Sequence, residues 1–199
     1  MIGIVGNGFV GNAVYQNFRD KTQCKVYDTD KNRSLNSLGE VINQEFIFVC
    51  LPTPMRYGGE CDLSILDNFF EGLPDHITGT FVIKSTVPVG TTKRYYERHN
   101  VIHNPEFLTA RNAIKDFANS ERNIVGADMD LCVDFVTMFE KYLIASLSSE
   151  VVMMLGISGK NFSNIATKST QRSMSPPTIF LSELAKSLIA FLAVRNSGL

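Results

Sequence analysis

Three glycines near the start of the chain, Gly6, Gly8 and Gly11, stand in the spacing Gly-x-Gly-x-x-Gly directly after the apolar run Gly3 to Val5. That spacing serves phosphate binding for three separate reasons. The first glycine permits a sharp exit from a strand, the second lets the backbone approach a pyrophosphate, and the third lets a helix pack closely on the sheet. A helix that starts there aims its free N–H groups and the positive end of its dipole at the phosphates. Phe9 and Val10 complete the candidate cofactor loop. Further on, the stretch CKVYDTD ends an apolar run at Asp28, about where a carboxylate binds both ribose hydroxyls of an adenosine, and an acid there favours NAD over NADP. Asp28 starting an ordinary turn is the plainer alternative, and Asp30 is a second, less well placed candidate.

Such a loop needs a strand before it and a helix after it. Short apolar runs at Gly3 to Val5, Cys24 to Tyr27, Phe46 to Cys50, Phe81 to Ile83, Val101 to His103 and Asn123 to Val125 are predicted strands. Between them, Val10 to Phe18, Ile65 to Phe70, Thr91 to Arg98, Thr109 to Phe117 and Leu131 to Tyr142 carry apolar residues at spacings of three and four, as helices do. Strands alternating with helices imply an α/β fold, a Rossmann-like doubly wound and mostly parallel sheet with helices on both faces. After Leu143 the pattern changes. Residues 146–175 are rich in serine and threonine, and Pro176 and Pro177 precede an apolar stretch, Ile179 to Val194, which reads as a C-terminal helix beginning near Ser182. The expected organisation is a Rossmann domain over residues 1–143 and an irregular tail over 144–199.

The 199 residues suffice for one substantial core. A net charge of −1 argues against a nucleic-acid-binding surface. No apolar run approaches the roughly 18 residues that a membrane span requires, and the N-terminus lacks the features of a secretory signal, so a cytoplasmic setting is expected. Cys24, Cys50, Cys61 and Cys132 have no Cys-x-x-Cys spacing, which fits reduced thiols better than disulfides or zinc. No metal site is expected. His76, His99 and His103 are isolated and suggest no hydrolase triad.

Three more stretches follow the glycine loop and Asp28 in order: CLPTP at 50–54, KSTVPVGT at 84–91 and NPEFLTARNAIKDF at 104–117, the last followed by NIVG. The first two lie at the carboxyl ends of predicted strands, where open α/β sheets bind ligands, and Thr53 and Thr86 offer hydroxyls there. Glu106 follows the fifth predicted strand, with an N-cap or surface acid as the plainer alternative. Arg111, Lys115 and Arg122 carry charges suited to a diphosphate, or are simply solvated.

In these motifs, over roughly residues 1–126, the chain resembles the N-terminal NAD-binding domain of the UDP-glucose and GDP-mannose dehydrogenase family, its UDP-glucose 6-dehydrogenase members most closely. The resemblance implies NAD as cofactor, a nucleotide sugar such as UDP-glucose as substrate, and oxidation of its primary alcohol to the uronate, a step of polysaccharide biosynthesis. It also implies that Glu106 is the catalytic glutamate and that the backbone of Phe107 and Leu108 contacts substrate.

The family's essential cysteine lies in a later domain, in a glycine-rich motif with a nearby Lys-Asp pair, and nothing here matches it. The family's catalytic lysine matches Lys186 in SELAKSLIAFLAVR, although Ala190 then stands where an asparagine is expected; the alternative alignment, on SEVVMMLG, puts Met153 at that position. The tail then reads as a divergent insertion, a remnant of the central dimerisation helix, or a disturbed reading frame. Three roles remain open: a dehydrogenase-like protein unable to complete the oxidation alone, a non-catalytic NAD-binding or regulatory module, and one half of a split enzyme. The expected partners are a separately encoded catalytic domain or a second copy of this chain.

Overall fold

The computed structural model describes residues 1–120, 122–143 and 150–155. Among them strands and helices alternate: β1 (Ile2–Val5), α1 (Phe9–Phe18), β2 (Cys24–Tyr27), α2 (Leu38–Ile42), β3 (Phe46–Val49), α3 (Ser64–Glu71), β4 (Thr80–Ile83), α4 (Thr91–Tyr96), β5 (Asn100–His103), α5 (Ala113–Ala118), β6 (Arg122–Ala127), α6 (Met129–Leu143) and β7 (Glu150–Leu155). The strands form one sheet in the order β2-β1-β3-β4-β5-β6-β7. The first five are mutually parallel, β6 runs antiparallel to β5, and β7 is parallel to β6. This is the expected doubly wound, mostly parallel sheet.

Both faces of the sheet are buried, which is why its strands are apolar runs and not alternating ones. The period of two still sorts the side chains. Ile2, Ile4, Phe46, Phe48, Val82 and Ile102 face one core with α1, α5 and α6. Val5, Ile47, Val49, Phe81, Ile83 and Val101 face the other with α2, α3 and α4. Phe18, Phe48, Phe117, Phe135 and Phe139 interlock in tilted and edge-to-face pairs in the first core, joining three helices to the centre of the sheet.

The structure differs from the sequence-based expectation at three places. Helix α2 was not expected, although Ser37-Leu38-Gly39-Glu40 spells a capping box: Ser37 Oγ accepts the Glu40 N–H, and the Glu40 carboxylate accepts the Ser37 N–H at 2.9 Å. Helix α5 starts at Ala113 and not at Thr109, because the Thr109 N–H and hydroxyl both donate to Asp116 Oδ2, at 2.8 and 2.6 Å, and hold the preceding residues in a loop. The sheet also continues beyond the expected boundary at Leu143. Glu150–Leu155 pairs along β6 from Arg122 to Ala127 as a strand, so a helix aligned on SEVVMMLG, with Met153 at the lysine position, is corrected. The expected C-terminal helix, with Lys186, lies outside the described residues.

In a parallel sheet the carboxyl ends of the strands share one edge. The chain winds from β1 outward to β2, then crosses to β3 on the other side, so a crevice opens between β1 and β3 at the point where open α/β folds bind ligands. The glycine loop, CLPTP, KSTVP and NPEF all leave the sheet at this edge.

His99 follows α4 and is 6% exposed, packed against Phe70 and Phe81 with neither ring nitrogen hydrogen-bonded. Burial lowers its pKa below the usual 6.5. The neutral form therefore stabilises the fold fully above that value, and the contribution is lost as the pH falls from 6.5 toward the folded pKa. Wild-type stability should drop between about pH 7 and 5.5, and His99→Leu should make that drop smaller in urea titrations. An unchanged pH slope would refute the assignment.

Candidate functional site

Gly6 leaves β1 with φ of +87°, a left-handed conformation that glycine alone adopts freely. Its N–H donates to Tyr27 O at 2.9 Å, tying the turn to β2. A Cβ on Gly11 would sit 1.8 Å from Gly6 O, so α1 approaches the turn this closely only without a side chain there. Gly8 is different, because a Cβ there would meet nothing within 4 Å. Its smallness serves no contact inside the protein. It leaves open space before the first turn of α1, which carries no side-chain cap. Phe9 is exposed at this end of the helix, and Val10 is half-buried behind it.

Asp28 stands beside the loop. Its Oδ2 accepts the Asn7 N–H at 2.6 Å and its Oδ1 accepts the Asp30 N–H at 2.8 Å, which fixes the carboxylate while leaving lone pairs for a ligand. Asp30 is engaged by its own turn through the Asn32 N–H and Arg33. Asn7 Nδ2 donates to Arg33 O at 2.8 Å, which sets the orientation of the amide, and Asn7 Oδ1 is buried without a partner. Such an orphaned acceptor costs about 1–3 kcal/mol until a donor reaches it. An open cradle at a helix N-terminus, a fixed carboxylate and an unpartnered acceptor together fit the phosphates and ribose hydroxyls of a dinucleotide.

Across the crevice, the loops after β3 and β4 are bonded to each other. Thr53 Oγ1 donates to Thr86 O at 2.7 Å, and Ser85 Oγ donates to Leu51 O at 2.5 Å. The two threonines singled out from the sequence thus meet, with Thr86 exposed and Thr53 half-buried.

The loop after β5 carries Glu106, half-buried, with Oε2 accepting the Leu108 N–H at 3.2 Å. Burial raises its pKa, opposed by that N–H and by the positive charge of Lys84. Phe107 is exposed, while Leu108 packs on the core. Beneath them lie two buried polar side chains. Lys84, 3% exposed, donates from Nζ to Asn104 Oδ1 at 2.7 Å; Asn104, fully buried, donates from Nδ2 to Ile124 O at 2.7 Å. Burial lowers the Lys84 pKa to about 8, against the pull of Cys50 and Glu106. The Cys50 thiol is pushed up to about 12 by burial, and His103 is lowered by burial to about 4. At neutral pH the edge therefore holds a protonated thiol, a neutral imidazole and a mostly charged ammonium below one carboxyl group.

Known proteins share the fold and part of the sequence of this domain. The pattern of the UDP-glucose/GDP-mannose dehydrogenase family, NAD binding domain, matches residues 39–143. The chain belongs to that family. The match begins after the glycine loop and Asp28, so those residues stand on their own geometry. UDP-glucose 6-dehydrogenase of Bacillus subtilis is 28% identical, with 63% of this chain and 37% of the relative covered. UDP-glucose 6-dehydrogenase of Rickettsia bellii is 30% identical, with 58% and 29% covered. An uncharacterized protein of Methanocaldococcus jannaschii is 40% identical over 54% of this chain and 14% of its own. The chain thus spans well under half the length of these relatives. Among solved structures, a UDP-glucose dehydrogenase from Pyrobaculum islandicum superposes with a TM-score of 0.66 and a GDP-mannose dehydrogenase from Pseudomonas aeruginosa with 0.62. Each is 18% identical and covers 85% of this chain and about half of the other, which shows the fold.

In this family domain Gly6, Gly8, Gly11 and Asp28 come together on one side of the crevice, and Thr53 and Thr86 on the other. Glu106, Phe107 and Leu108 leave the same edge after β5. Arg111 and Lys115 are exposed near α5, and Lys186 lies outside the described residues. The sequence reading missed Asn7, Lys84 and Asn104. Lys84 had a legible signal, a lysine ending the fully apolar strand Phe-Val-Ile, where burial without a partner is costly.

The glycines separate binding from folding. Gly8→Ala should keep stability within about 1 kcal/mol, the cost of a changed helix cap, yet weaken NAD binding roughly tenfold or more. Gly11→Ala should cost at least about 2 kcal/mol by overpacking. Equal effects of both on urea unfolding would contradict this division.

Proposed function

We propose that the chain binds NAD across the crevice through Gly6, Gly8, Phe9, Val10, Gly11, Asp28, Thr53 and Thr86, and presents Glu106 to a nucleotide sugar, UDP-glucose first, whose primary alcohol is oxidised to the uronate. The observation that carries this reading is Glu106, half-buried and of raised proton affinity, on the strand edge that also carries the glycine loop and Asp28.

Bound NAD supplies the hydride acceptor. The protein's part is positioning and proton handling. The N-terminus of α1 and the open space at Gly8 receive the pyrophosphate, and Asp28 takes the ribose hydroxyls with its free lone pairs, favouring NAD over its 2′-phosphorylated form. Asn7 Oδ1 is an acceptor for a hydroxyl donor of the ligand. The joined loops at Thr53 and Thr86 hold the far wall. A carboxyl group whose pKa is raised by burial can accept the alcohol proton or orient a water near neutral pH, and Glu106 is that group. The backbone of Phe107 and Leu108 flanks it toward the sugar.

The family's glycine-rich cysteine motif does not occur in these 199 residues, so the two-step oxidation requires a polypeptide that supplies it. Lys186 is the proposed counterpart of the family's catalytic lysine. The same missing motif favours a second reading, an NAD-binding module without turnover of its own. The free cysteines fit a reducing compartment, the cytoplasm. Among the described residues no helix is long and apolar enough to cross a membrane.

Calorimetry on the full chain tests the cofactor reading. NAD should bind more tightly than NADP, and Asp28→Ala should weaken NAD roughly 10- to 100-fold, the worth of about 1.5–3 kcal/mol for bonds to a charged group. Glu106→Gln should leave NAD affinity unchanged. A folded chain that ignores NAD would reject the proposal, and steady NADH formation from UDP-glucose by this chain alone would reject the requirement for a further polypeptide.

A further inference from the structure

Among the described residues no cation forms an ion pair with Glu106, yet a buried charge stands near the start of its loop. Lys84 directly follows β4 and Asn104 directly follows β5, adjacent parallel strands, and the two side chains meet at 2.7 Å. Both are among the most buried polar groups described, and Asn104 is fixed in turn by its bond to Ile124 O on β6 and by its own N–H to Ile83 O at 3.0 Å. An ammonium carries three donors. One goes to Asn104, and among the described residues no carboxylate lies within ion-pair distance of Nζ.

Burying a charge with a single hydrogen bond is costly, and an aliphatic side chain of similar length would fill the space at less cost. The Asn104 amide just after β5 and the Phe117 ring of α5 at 5.5 Å contact the ammonium, and the titratable groups that interact with its charge are the Cys50 thiol just after β3, the His103 imidazole of β5 and the Glu106 carboxyl. Thiol and imidazole are neutral at pH 7, so the carboxyl is the anion toward which this charge acts.

We propose that Lys84 is a positioning residue for Glu106: tethered by Asn104, two residues before Glu106 in the chain, its buried ammonium acts on the carboxyl and lowers the pH at which that carboxyl loses its proton. Without it, a half-buried carboxyl would hold its proton to higher pH. The inference rests on the reading of Glu106 as the group that handles the proton, but the coupling itself is a property of the folded chain and needs no turnover.

Coupling between two titrating groups is reciprocal, which provides two independent measurements. With ¹³C-labelled glutamate, the Glu106 carboxyl should titrate on the order of one pH unit higher in Lys84→Met than in wild type, a tenfold change in acidity, and Lys84→Arg should return it toward the wild-type value. With labelled lysine, Glu106→Gln should lower the Lys84 titration by a similar amount; this substitution lies in a loop and is nearly isosteric, so it decides the question even where Lys84→Met fails to fold. Titrations of Glu106 and Lys84 that do not respond to each other would overturn the proposal. NAD calorimetry on the same samples separates the two ideas: coupling without NAD binding removes the functional reading and leaves the coupling, and NAD binding without coupling does the reverse.

Discussion

A methyl group on Gly11 would lie 1.8 Å from the carbonyl oxygen of Gly6, and much of the binding edge follows from the contact that its absence allows. Because α1 can press directly onto the turn that leaves β1, its axis points its free N–H groups into the crevice between β1 and β3. Gly6 then turns in the left-handed region and hands its N–H to β2, which places Asp28 against the loop through the Asn7 N–H. A side chain at Gly11 would push the helix away from the turn, and one at Gly6 would meet the Cys50 carbonyl oxygen at 2.7 Å.

The same edge handles charge in two opposite ways. At the phosphate end the protein provides partial positive charge without a buried ion, by means of a helix terminus open to solvent. At the end that bears Glu106 it buries a full ammonium and supports it with an amide and an aromatic ring. An exposed lysine near Glu106 would be screened by water; one sealed below the strands keeps its influence, since the low dielectric that makes it costly also makes it effective. The neighbouring Cys50 and His103 are neutral at pH 7, so of these three side chains only Lys84 carries charge there.

The fold was legible in the sequence where one period dominates. Runs such as Ile2–Val5 and Phe46–Val49 are apolar on both faces, and the described strands expected from such runs formed. Helix α2 was equally legible through Ser37 and Glu40 but is too short for its apolar period to stand out. The start of α5 was not legible, because it depends on Thr109 meeting Asp116, and Glu150–Leu155 reads as helix or strand until a neighbouring strand is present to pair with it.

By itself the sequence determined the turn after β1 and the acid beside it, since Gly-x-Gly-x-x-Gly and an aspartate just after the next strand are constraints on backbone space and on charge that local spacing expresses directly. It also determined that Thr53, Thr86 and Glu106 would reach one edge, because parallel strands point their carboxyl ends the same way. Tertiary structure alone decided the interior of the site: that the Thr53 hydroxyl bonds to Thr86 O, that Asn7 keeps an unpartnered acceptor, and that Lys84 and Asn104 meet beneath Glu106. Those contacts join residues far apart in the chain, and their energies depend on burial, which no residue type carries until the sheet and its helices have closed around it.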